Sequence, residues 1–493
     1  MARLSTRRMM AAIAGIGAAA LVISACGSSG TGNPGSSQSS SQSSSSQGGS
    51  SSEQSSQSSG GSTESTSSGS GGSGDAAAGD DNTWCDSIKQ NWPDIKGKSV
   101  TIYSSITGDE ATSLKESWKD FTDCTGATIK FNSDKNFEQQ IVVQARSGNP
   151  PDLAFVPQPG LLQTLVSTGK TVPAPAQVEA NVDKYWDPGW KTYATVNGKF
   201  YGAPLGANVK SLVWYSPKMF KAAGYQVPQT WDDMIKLSDT IAAAGDVKPW
   251  CAGIASGNAT GWPATDWLEE VVLRSAGPQV YDDWVAGKVK FTDQPIADAL
   301  AKVGSILKNP KYVNGGLGDV KSIATTDFDK AGAPILSGKC YMMQMASFYT
   351  WPAGTKVAED GDVYAFYEPA MSDQFGKPVE VGGEFVVAFD TKPEVQAVQF
   401  YLSTAHWANN QSKASASRIS ANKGLKIENV QGAINKLSVS ILQDKAAVSR
   451  FDASDLMPAA VGSGAEWTQL TSWITGQDDA TTLKAIQDAW PAS

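Results

Sequence analysis

The sequence contains little of the side-chain chemistry on which most hydrolases and metalloproteins depend. Its 493 residues include one histidine, His406, and five cysteines. A Ser-His-Asp triad requires a histidine base, and zinc sites are built mainly from histidine and thiolate ligands. We interpret His406 as a side chain near the end of a helix that finishes at about Ala408. The sequence therefore predicts no catalytic residue, no metal site and no cofactor.

The chain also lacks a basic excess and a phosphate-binding loop. Its 40 basic and 49 acidic side chains give a net charge of −9, whereas a nucleic-acid partner would require a basic face. Gly97-Lys98-Ser99 is similar to the end of a phosphate loop, but Trp92 stands where that loop requires a glycine. We therefore expect no nucleic-acid partner.

Long apolar runs are absent as well. Three arginines within residues 1–8 precede an apolar run over 9–23 that is too short to span a bilayer. This pattern is typical of a secretory signal, and we assign residues 1–25 to a signal peptide. Ile23-Ser24-Ala25-Cys26 resembles a bacterial lipobox, which implies lipid on the Cys26 thiol. The alternative is an ordinary signal peptide with an incidental cysteine.

The segment that follows is a predicted tether. Residues 27–82 are mostly Ser, Gly and Gln, with no apolar cluster that could offset the entropy of ordering. Together with Cys26 they form the segment 26–82. A flexible chain of this length reaches about 40–45 Å. That reach lets a folded domain leave the membrane surface and return to it.

The remaining part, roughly 410 residues from Thr83 onward, is too long for one core and predicts two lobes. Strand and helix alternate over its first third, which indicates a parallel, doubly wound sheet. The predicted order is strand Ser99–Ser104, a helix through Phe121, strand Thr128–Asn132, helix Phe137–Arg146, strand Pro151–Val156 and helix Leu161–Ser167. Ligands of such sheets bind beyond the carboxyl ends of the strands, here at Ser105 to Asp109 and at Pro157-Gln158.

The segment Phe200–Met234 is the predicted crossing from the first lobe to the second. A strand at Ser211–Tyr215 precedes a helix that begins at Ser216-Pro217 and ends at Gly224, and Thr230 begins the next helix. We expect a strand near Trp250 to Ile254, a return strand and a single helix over Pro393 to Ala408, and a second return from Ile427. The predicted lobes are therefore 83–207 with 383–426, and 208–382 with 427–493.

Several motifs resemble the family 1 extracellular solute-binding proteins that serve ABC sugar importers. They include a PxTW(D/E) string at Pro228–Asp232, a GKxxM string at Gly338–Met342, Gly382-Gly383, and Met457-Pro458. Strings such as PWCxG, ATGWPxTDWxE, YDxWV and QxSF, at Pro249–Gly253, Ala259–Glu269, Tyr281–Val285 and Gln344–Phe348, are similar to the α-glucoside-binding branch, although the last range has one residue more than the QxSF string. The resemblance implies a two-lobed α/β fold of the type II periplasmic-binding-protein class, with a hinge of several crossings and a ligand cleft.

The resemblance and the residue types together suggest a sugar site. A sugar offers apolar C–H faces and a rim of hydroxyls, so aromatic rings and polar side chains are its natural partners. The candidate ligand-binding residues are Ser105, Asp109, Gln158, Asn208, Lys210, Trp262, Asp266, Trp267, Phe348, Gly383, Glu384 and Trp467. For the tryptophans the alternative is core packing, for Asp266 a place at a helix N-terminus, and for Ser105 and Asp109 a turn or helix cap. We expect Glu269 and Glu270 on a solvated face, with Glu270 and Arg274 as an i,i+4 pair.

Four cysteines remain after Cys26, and an exported chain meets an oxidising compartment. Sequence alone allows three connectivities. The lobe assignment favours Cys85 with Cys124 and Cys251 with Cys340, and free buried thiols are the alternative.

These features predict a non-enzymatic, monomeric lipoprotein on the outer face of a bacterial cell membrane. It would capture an α-glucoside or another oligosaccharide by closing two lobes and would deliver it unchanged to an ABC permease, whose ATPase is another polypeptide. The alternatives are a secreted glycoside hydrolase, which needs two carboxyl groups about 5–10 Å apart, and a receptor for a non-sugar solute.

Overall fold

A computed structural model describes residues 82–245, 247–416 and 418–491. The predicted signal peptide, Cys26 and the tether up to Asp81 lie outside the described residues. The strands are β1 Ser99–Ser104, β2 Thr128–Ser133, β3 Leu153–Val156, β4 Thr195–Val196, β5 Lys199–Phe200, β6 Asn208–Val209, β7 Leu212–Tyr215, β8 Lys248–Trp250, β9 Cys340–Gln344, β10 Tyr364–Tyr367, β11 Lys377–Gly382, β12 Phe385–Ala388 and β13 Ala447–Phe451.

Helices cover most of the remaining chain. The α-helices are α1 Trp84–Asn91, α2 Gly108–Glu116, α3 Lys119–Thr125, α4 Phe137–Ser147, α5 Pro159–Ser167, α6 Ala176–Tyr185, α7 Pro188–Tyr193, α8 Pro217–Ala223, α9 Trp231–Ala244, α10 Trp262–Ser275, α11 Pro278–Val285, α12 Gln294–Leu307, α13 Ala333–Leu336, α14 Pro393–Leu402, α15 Ala405–Ala414, α16 Ala433–Leu442, α17 Ala453–Leu456, α18 Trp467–Thr475 and α19 Asp479–Gln487. Short 3₁₀ turns lie at Val320–Ala324, Phe328–Lys330, Asp373–Phe375 and Ile427–Asn429, and a π-helix at Val461–Glu466. No helix among the described residues combines the length and apolar character needed to cross a membrane.

The first lobe is built on a four-stranded sheet in the order β12-β3-β1-β2. β1 pairs in parallel with β2 and β3, as strand and helix alternation predicts. β12 is antiparallel to β3, so the chain returns to this sheet after Gly383, as expected. Buried side chains such as Val100, Ile102 and Phe155 form its core.

The second lobe contains another four-stranded sheet, in the order β10-β7-β9-β8. Its core includes Trp250, Trp284 and Leu300, all fully buried. The predicted helix after Ser216 is present, and the Ser216 hydroxyl accepts from the Met219 N–H while Gly224 ends the helix at φ 70°. Thr230 caps the next helix by accepting from the Asp233 N–H. These hydrogen bonds form between residues close in sequence, which explains why the helix limits of the crossing segment could be predicted.

A third sheet, in the order β13-β11-β6, connects the lobes. We call it the hinge sheet, because β6 follows the first lobe, β11 precedes the return to it, and β13 comes from the C-terminal part. β11 pairs in parallel with β13 and antiparallel to β6. The chain therefore passes between the lobes several times, and the fold is the two-lobed α/β fold of type II binding proteins. The lobe limits at 207/208 and 426/427 remain predictions.

The two expected disulfides are present. Cys85 is bonded to Cys124 in the first lobe, and Cys251 to Cys340 in the second. The first ties α1 to α3, and the second ties the residue after β8 to the start of β9. Each bridge therefore stiffens one lobe and leaves the connection between lobes free to bend.

Two predicted helices are interrupted. The helix expected through Phe121 is divided into α2 and α3 at Ser117-Trp118, where the Ser117 hydroxyl bonds the Leu114 carbonyl. The helix expected over Pro393 to Ala408 is divided into α14 and α15, because Thr404 caps a new helix at the Trp407 N–H. His406 consequently lies at a helix start, where its Nε2 is 2.9 Å from Asp120 Oδ2. The strand expected up to Ile254 ends at Trp250.

Candidate ligand-binding cleft

A cavity of about 320 Å³ lies between the two lobes, in front of the hinge sheet. The first lobe contributes the residues after β1 and β3, at the carboxyl ends of parallel strands, as open sheets of this kind predict. The second lobe contributes the N-terminal ends of α10 and α18 and the loop after β9. Of the predicted ligand-binding residues, those that line the cavity are Ser105, Asp109, Gln158, Asn208, Lys210, Trp262, Phe348, Gly383, Glu384 and Trp467.

Three half-buried aromatic rings form one wall. The Trp262 ring lies 5.8 Å from Phe348 and 5.0 Å from Phe328, measured between ring centroids. Trp262 is the first residue of α10 and follows Gly261, whose φ of 119° suits glycine. A side chain at Gly261 would overlap the Trp467 carbonyl, so close packing of two helix ends positions this aromatic wall.

The first-lobe wall is polar and incompletely hydrogen-bonded. The side-chain oxygens Gln158 Oε1 and Glu138 Oε2 are buried and have no hydrogen-bond partner among the described residues. Burial raises the pKa of Glu138 to about 7, although the Gln158 amide opposes this rise by bonding its carboxylate form. Buried polar atoms usually have partners. These atoms therefore mark places where a polar ligand can form hydrogen bonds.

Two further residues that line the cavity, outside the first-lobe wall, also carry unpaired hydrogen-bonding atoms. Asn208 Oδ1 on β6 and Trp467 Nε1 at the start of α18 are also buried without a partner in the described part of the chain. Asn208 offers an acceptor, and Trp467 offers a donor. The cavity thus contains both kinds of unpaired hydrogen-bonding group next to an aromatic wall. A hydroxyl group, which both donates and accepts, matches this combination.

Glu384 is fixed by an ion-pair network. The guanidinium of Arg418 contacts the carboxylates of both Glu384 and Glu110, and the three side chains are mostly buried. The adjacent Gly383 has no room for a side chain, because a Cβ would overlap the Gly206 carbonyl oxygen. The turn between β11 and β12 therefore requires glycine, and it holds Glu384 at the cavity.

Lys210 is held by a second cluster, behind the aromatic wall. Its Nζ lies 2.7 Å from Asp266 Oδ1, contacts Asp452, and is 3.9 Å from Glu380 Oε1. Burial opposes the charged form of this lysine, but the surrounding carboxylates outweigh it and hold the Lys210 pKa well above its usual value. Burial raises the pKa of Asp266 to about 7. Asp266, Glu380 and Asp452 have the oxygen spacing of a cation site, and the Lys210 ammonium supplies the cation.

Two predicted site residues do not reach the cavity. Asp266 is 1% exposed and acts on Lys210 rather than lining the wall. Trp267 packs against Trp250 in the core of the second lobe, with ring centroids 5.3 Å apart. Asp266 lies one turn after Trp262 on nearly the same side of α10 but is buried, whereas Trp267 lies about 140° around the helix axis from Trp262.

The expectation of a solvated face at Glu269 and Glu270 was wrong. Both are fully buried. Glu270 does pair with Arg274, but inside the protein. Glu269 accepts from the Ala453 and Ser454 N–H groups and from the Tyr281 hydroxyl, at 2.5, 3.1 and 3.2 Å. The C-terminal segment folds over this helix face and supplies the partners that make burial tolerable.

The mouth of the cleft is bridged by contacts between the lobes. Lys135 Nζ on the first lobe is 3.3 Å from Asp329 Oδ2 on the second. Asn258 donates to Gln139 Oε1 over 2.9 Å. These pairs are exposed and individually weak. They nevertheless show that the lobes touch in front of the cavity, so the structure represents a closed form.

Sequence reasoning missed several lining residues, among them Glu138, Phe328, Asp452 and Asp455. Phe328 lies in a 3₁₀ turn within a long loop, where no periodic pattern marks it. Asp452 could have been predicted as a helix N-cap, since its carboxylate accepts from the Asp455 N–H at the start of α17 over 2.8 Å. Glu138 lies in the first turn of a correctly predicted helix, and only the meeting of the lobes places it at the site.

The fold and the closed interlobe cavity define a two-lobed solute receptor. The chain belongs to the bacterial extracellular solute-binding proteins, since the family model of that description matches residues 105–405. It is 35% identical over 408 residues to the alpha-glucosides-binding periplasmic protein AglE of Rhizobium meliloti, covering 80% of this chain and 88% of that protein. It is 34% identical over 396 residues to the osmoprotective compounds-binding protein GgtB of Synechocystis, covering 80% and 93%.

Solved structures share the fold at lower identity. The bacterial solute receptor AcbH superposes with a TM-score of 0.67 and 18% identity, over 79% of this chain and 98% of that one. Maltose-bound MalE3 of T. maritima gives a TM-score of 0.63 and 16% identity, over 80% and 98%. At these identities the likeness concerns the fold alone.

Proposed function

We propose that this chain is the substrate-binding lipoprotein of an ABC importer and that it captures a small α-glucoside. The observation that carries the proposal is the closed cavity, in which aromatic rings lie beside buried, unpaired hydrogen-bonding atoms. Stacking on Trp262 and Phe348 would hold the apolar faces of a sugar ring. Hydroxyl groups of the sugar would form hydrogen bonds with the unpaired side-chain atoms of Gln158, Asn208, Glu138 and Trp467. These bonds would remove the free-energy cost of leaving buried polar atoms without partners.

The size of the cavity favours a short ligand. Its volume of about 320 Å³ lies at the lower end of the roughly 300–1,000 Å³ of small-molecule sites. A glycoside of one to three rings fits this space better than a long oligosaccharide. The names of the two relatives, which refer to alpha-glucosides and to osmoprotective compounds, support the same class.

Binding would proceed by lobe closure. The first-lobe acceptors and the second-lobe aromatic wall contact a ligand together only when the lobes meet, so the ligand stabilises the closed form. A dissociation constant of 1 μM requires about −8.2 kcal/mol. The lipid on Cys26 would retain the receptor at the outer face of the cell membrane, and the sugar would pass unchanged to the permease. We further propose that the receptor acts as a monomer.

The alternative of a glycoside hydrolase receives little support from the site. Asp266 and Glu384, its two candidate carboxylates, are each held by a cation, Lys210 and Arg418 respectively. Asp266 does not line the cavity. We therefore propose no catalytic role for either.

Calorimetric titration of the purified protein with glucose, trehalose, sucrose, maltose and maltotriose tests the proposal. We expect micromolar binding of at least one glucoside, with no release of reducing sugar after prolonged incubation. A folded protein that binds no saccharide in the panel would refute the sugar-receptor assignment. Turnover of a bound glucoside would refute the transport role.

A further inference from the structure

A second cavity, of about 400 Å³, lies against the hinge sheet. We call it the rear cavity; it is lined by Val381 and by residues within 187–193, 419–430 and 439–451. Val381 and Phe451 are paired on neighbouring strands and line the rear cavity, whereas the next residues, Gly382 and Asp452, line the cleft. Successive residues of a strand point to opposite faces. The two cavities therefore lie on opposite faces of the same sheet.

The walls of the rear cavity combine aromatic and aliphatic surface with a polar part, which includes the ion pair of Lys423 with Asp187. The half-buried rings of Trp190 and Tyr193 pack on Phe451, with centroids 5.9 and 4.9 Å away. Ile419 and Val430 are almost completely buried and supply aliphatic surface. Rings and branched aliphatic side chains of this kind favour a flat apolar molecule.

One polar group in this lining is unsatisfied. Asn422 is 3% exposed, and its Oδ1 accepts from the Gly424 N–H over 2.8 Å. Its Nδ2 is buried and has no hydrogen-bond partner within the described residues. An amide nitrogen is a donor only. A ligand that satisfies it must bring an acceptor, such as a carbonyl oxygen.

The rear cavity is also shared between the lobes. Trp190 contacts Phe385 of the first-lobe sheet, with ring centroids 6.4 Å apart. Helix α16, which provides Val439 and Leu442, packs against β10 of the second-lobe sheet. A molecule bound here touches parts that move relative to each other when the cleft opens. Its binding free energy therefore depends on the state of the cleft.

We propose that the rear cavity binds a small, flat, neutral aromatic molecule that carries a carbonyl acceptor, and that this molecule favours closure of the cleft. The cavity is present in the same structure in which Lys135 and Asp329 join the lobes in front. A ligand that fits this form stabilises it. By reciprocity, a cleft ligand and a rear ligand strengthen each other's binding. The rear site itself does not depend on the proposed sugar, but the coupling does.

Titration with coumarin, a flat two-ring molecule with a carbonyl group, tests the rear site. Indole is the matched control, because it is also flat and two-ringed but has no carbonyl group. We expect one coumarin per chain, with indole at least tenfold weaker. Ala421→Trp, which fills the cavity, should weaken coumarin binding at least tenfold. Ala243→Trp, at an exposed position on α9 outside both cavities, should leave it unchanged. Asn422→Asp keeps the acceptor for Gly424 and removes the donor, so it should weaken coumarin but not indole.

The outcomes separate this proposal from the receptor function. The rear site would be overturned if coumarin does not bind the folded protein. It would also be overturned if coumarin binds Ala421→Trp as well as the wild type, or if a sugar displaces coumarin competitively. The coupling predicts a several-fold gain in sugar affinity at saturating coumarin, and equal affinities would overturn it. Sugar titration of the Ala421→Trp variant tests the receptor function independently, since Ala421 lies outside the cleft.

Discussion

Lys210 Nζ donates to Asp266 Oδ1 over 2.7 Å, and the two side chains are only 7% and 1% exposed. The pair joins the hinge sheet to α10 of the second lobe. Lys210 reaches the cleft, while Asp266 stays behind it and orients the lysine. Both residues were predicted to contact the ligand, but only Lys210 lines the cleft, and Asp266 acts on it through the ion pair.

Removal of the Lys210 charge should destabilise the protein strongly. Lys210→Met leaves Asp266, Asp452 and Glu380 without the cation they surround, and breaking a buried ion pair from one side costs about 3–5 kcal/mol. Guanidinium unfolding at pH 7.5 measures this loss. Lys218→Met is the matched control, because its pair with Asp362 is largely exposed and should contribute less than about 1 kcal/mol. Equal losses in the two variants would contradict the assigned role.

Stability should fall as the pH rises from about 5 to 8. Burial raises the pKa of Glu138 and Asp266 to about 7 and that of Glu270 to about 8. The folded state therefore holds more protons than the unfolded chain in this interval, and the free energy of unfolding decreases with pH. Exposed carboxylates such as Asp360 have lowered pKa values and titrate below this window.

The variant Glu138→Gln isolates one contribution to that pH dependence. A rise of the Glu138 pKa from 4.5 to about 7 corresponds to at most about 3.4 kcal/mol of unfolding free energy between low and high pH. The variant should lose this part of the slope, whereas Glu116→Gln, at an exposed position in α2, should retain it. Denaturation curves at pH 5, 6, 7 and 8 provide the measurement. A wild-type stability that is constant over this range would show that the buried carboxyls are ionised.

Loss of the Phe348 ring should weaken sugar binding without unfolding the protein. Phe348→Ala removes one of the three rings of the aromatic wall that faces the predicted sugar position. We expect a tenfold to hundredfold rise in Kd, or about 1.4–2.7 kcal/mol. Phe375→Ala is the control, because Phe375 is also half-buried but lies outside the cleft. Similar effects of the two variants on Kd would exclude stacking at Phe348.

Gly383→Ala should damage the turn that holds Glu384. The added methyl would overlap the Gly206 carbonyl oxygen, and such overpacking costs about 1–3 kcal/mol. Gly189→Ala, in helix α7 with no atom within 4 Å of the new methyl, should be neutral or stabilising by up to about 1 kcal/mol. Thermal unfolding compares the two. A Gly383→Ala variant as stable as the wild type would mean that the turn can move aside.

Local chemistry made much of the fold predictable. The caps at Ser216, Thr230 and Gly224 act through hydrogen bonds within a few residues, so the sequence contains them in full. The alternation of β1, β2 and β3 with helices required a parallel sheet, and the sheet located Ser105 and Gln158 at its carboxyl edge. The pairing of four cysteines followed from the lobe in which each lies.

Tertiary structure decided what local chemistry left open. Trp262 and Trp267 lie on the same helix, about 140° apart around its axis, and only the packing of α10 determines which of them meets the cleft. Glu269 looks like a surface residue, because its backbone partners at Ala453 and Ser454 come from a distant part of the chain. Glu270 pairs with Arg274 one turn along the same helix, and only tertiary packing buries that pair. The sequence by itself therefore determined most of the strands and helices, the two-lobed fold and the class of the protein. Which side chains face the cleft was decided by long-range packing, since a helix presents every side of its surface until its neighbours cover some of them.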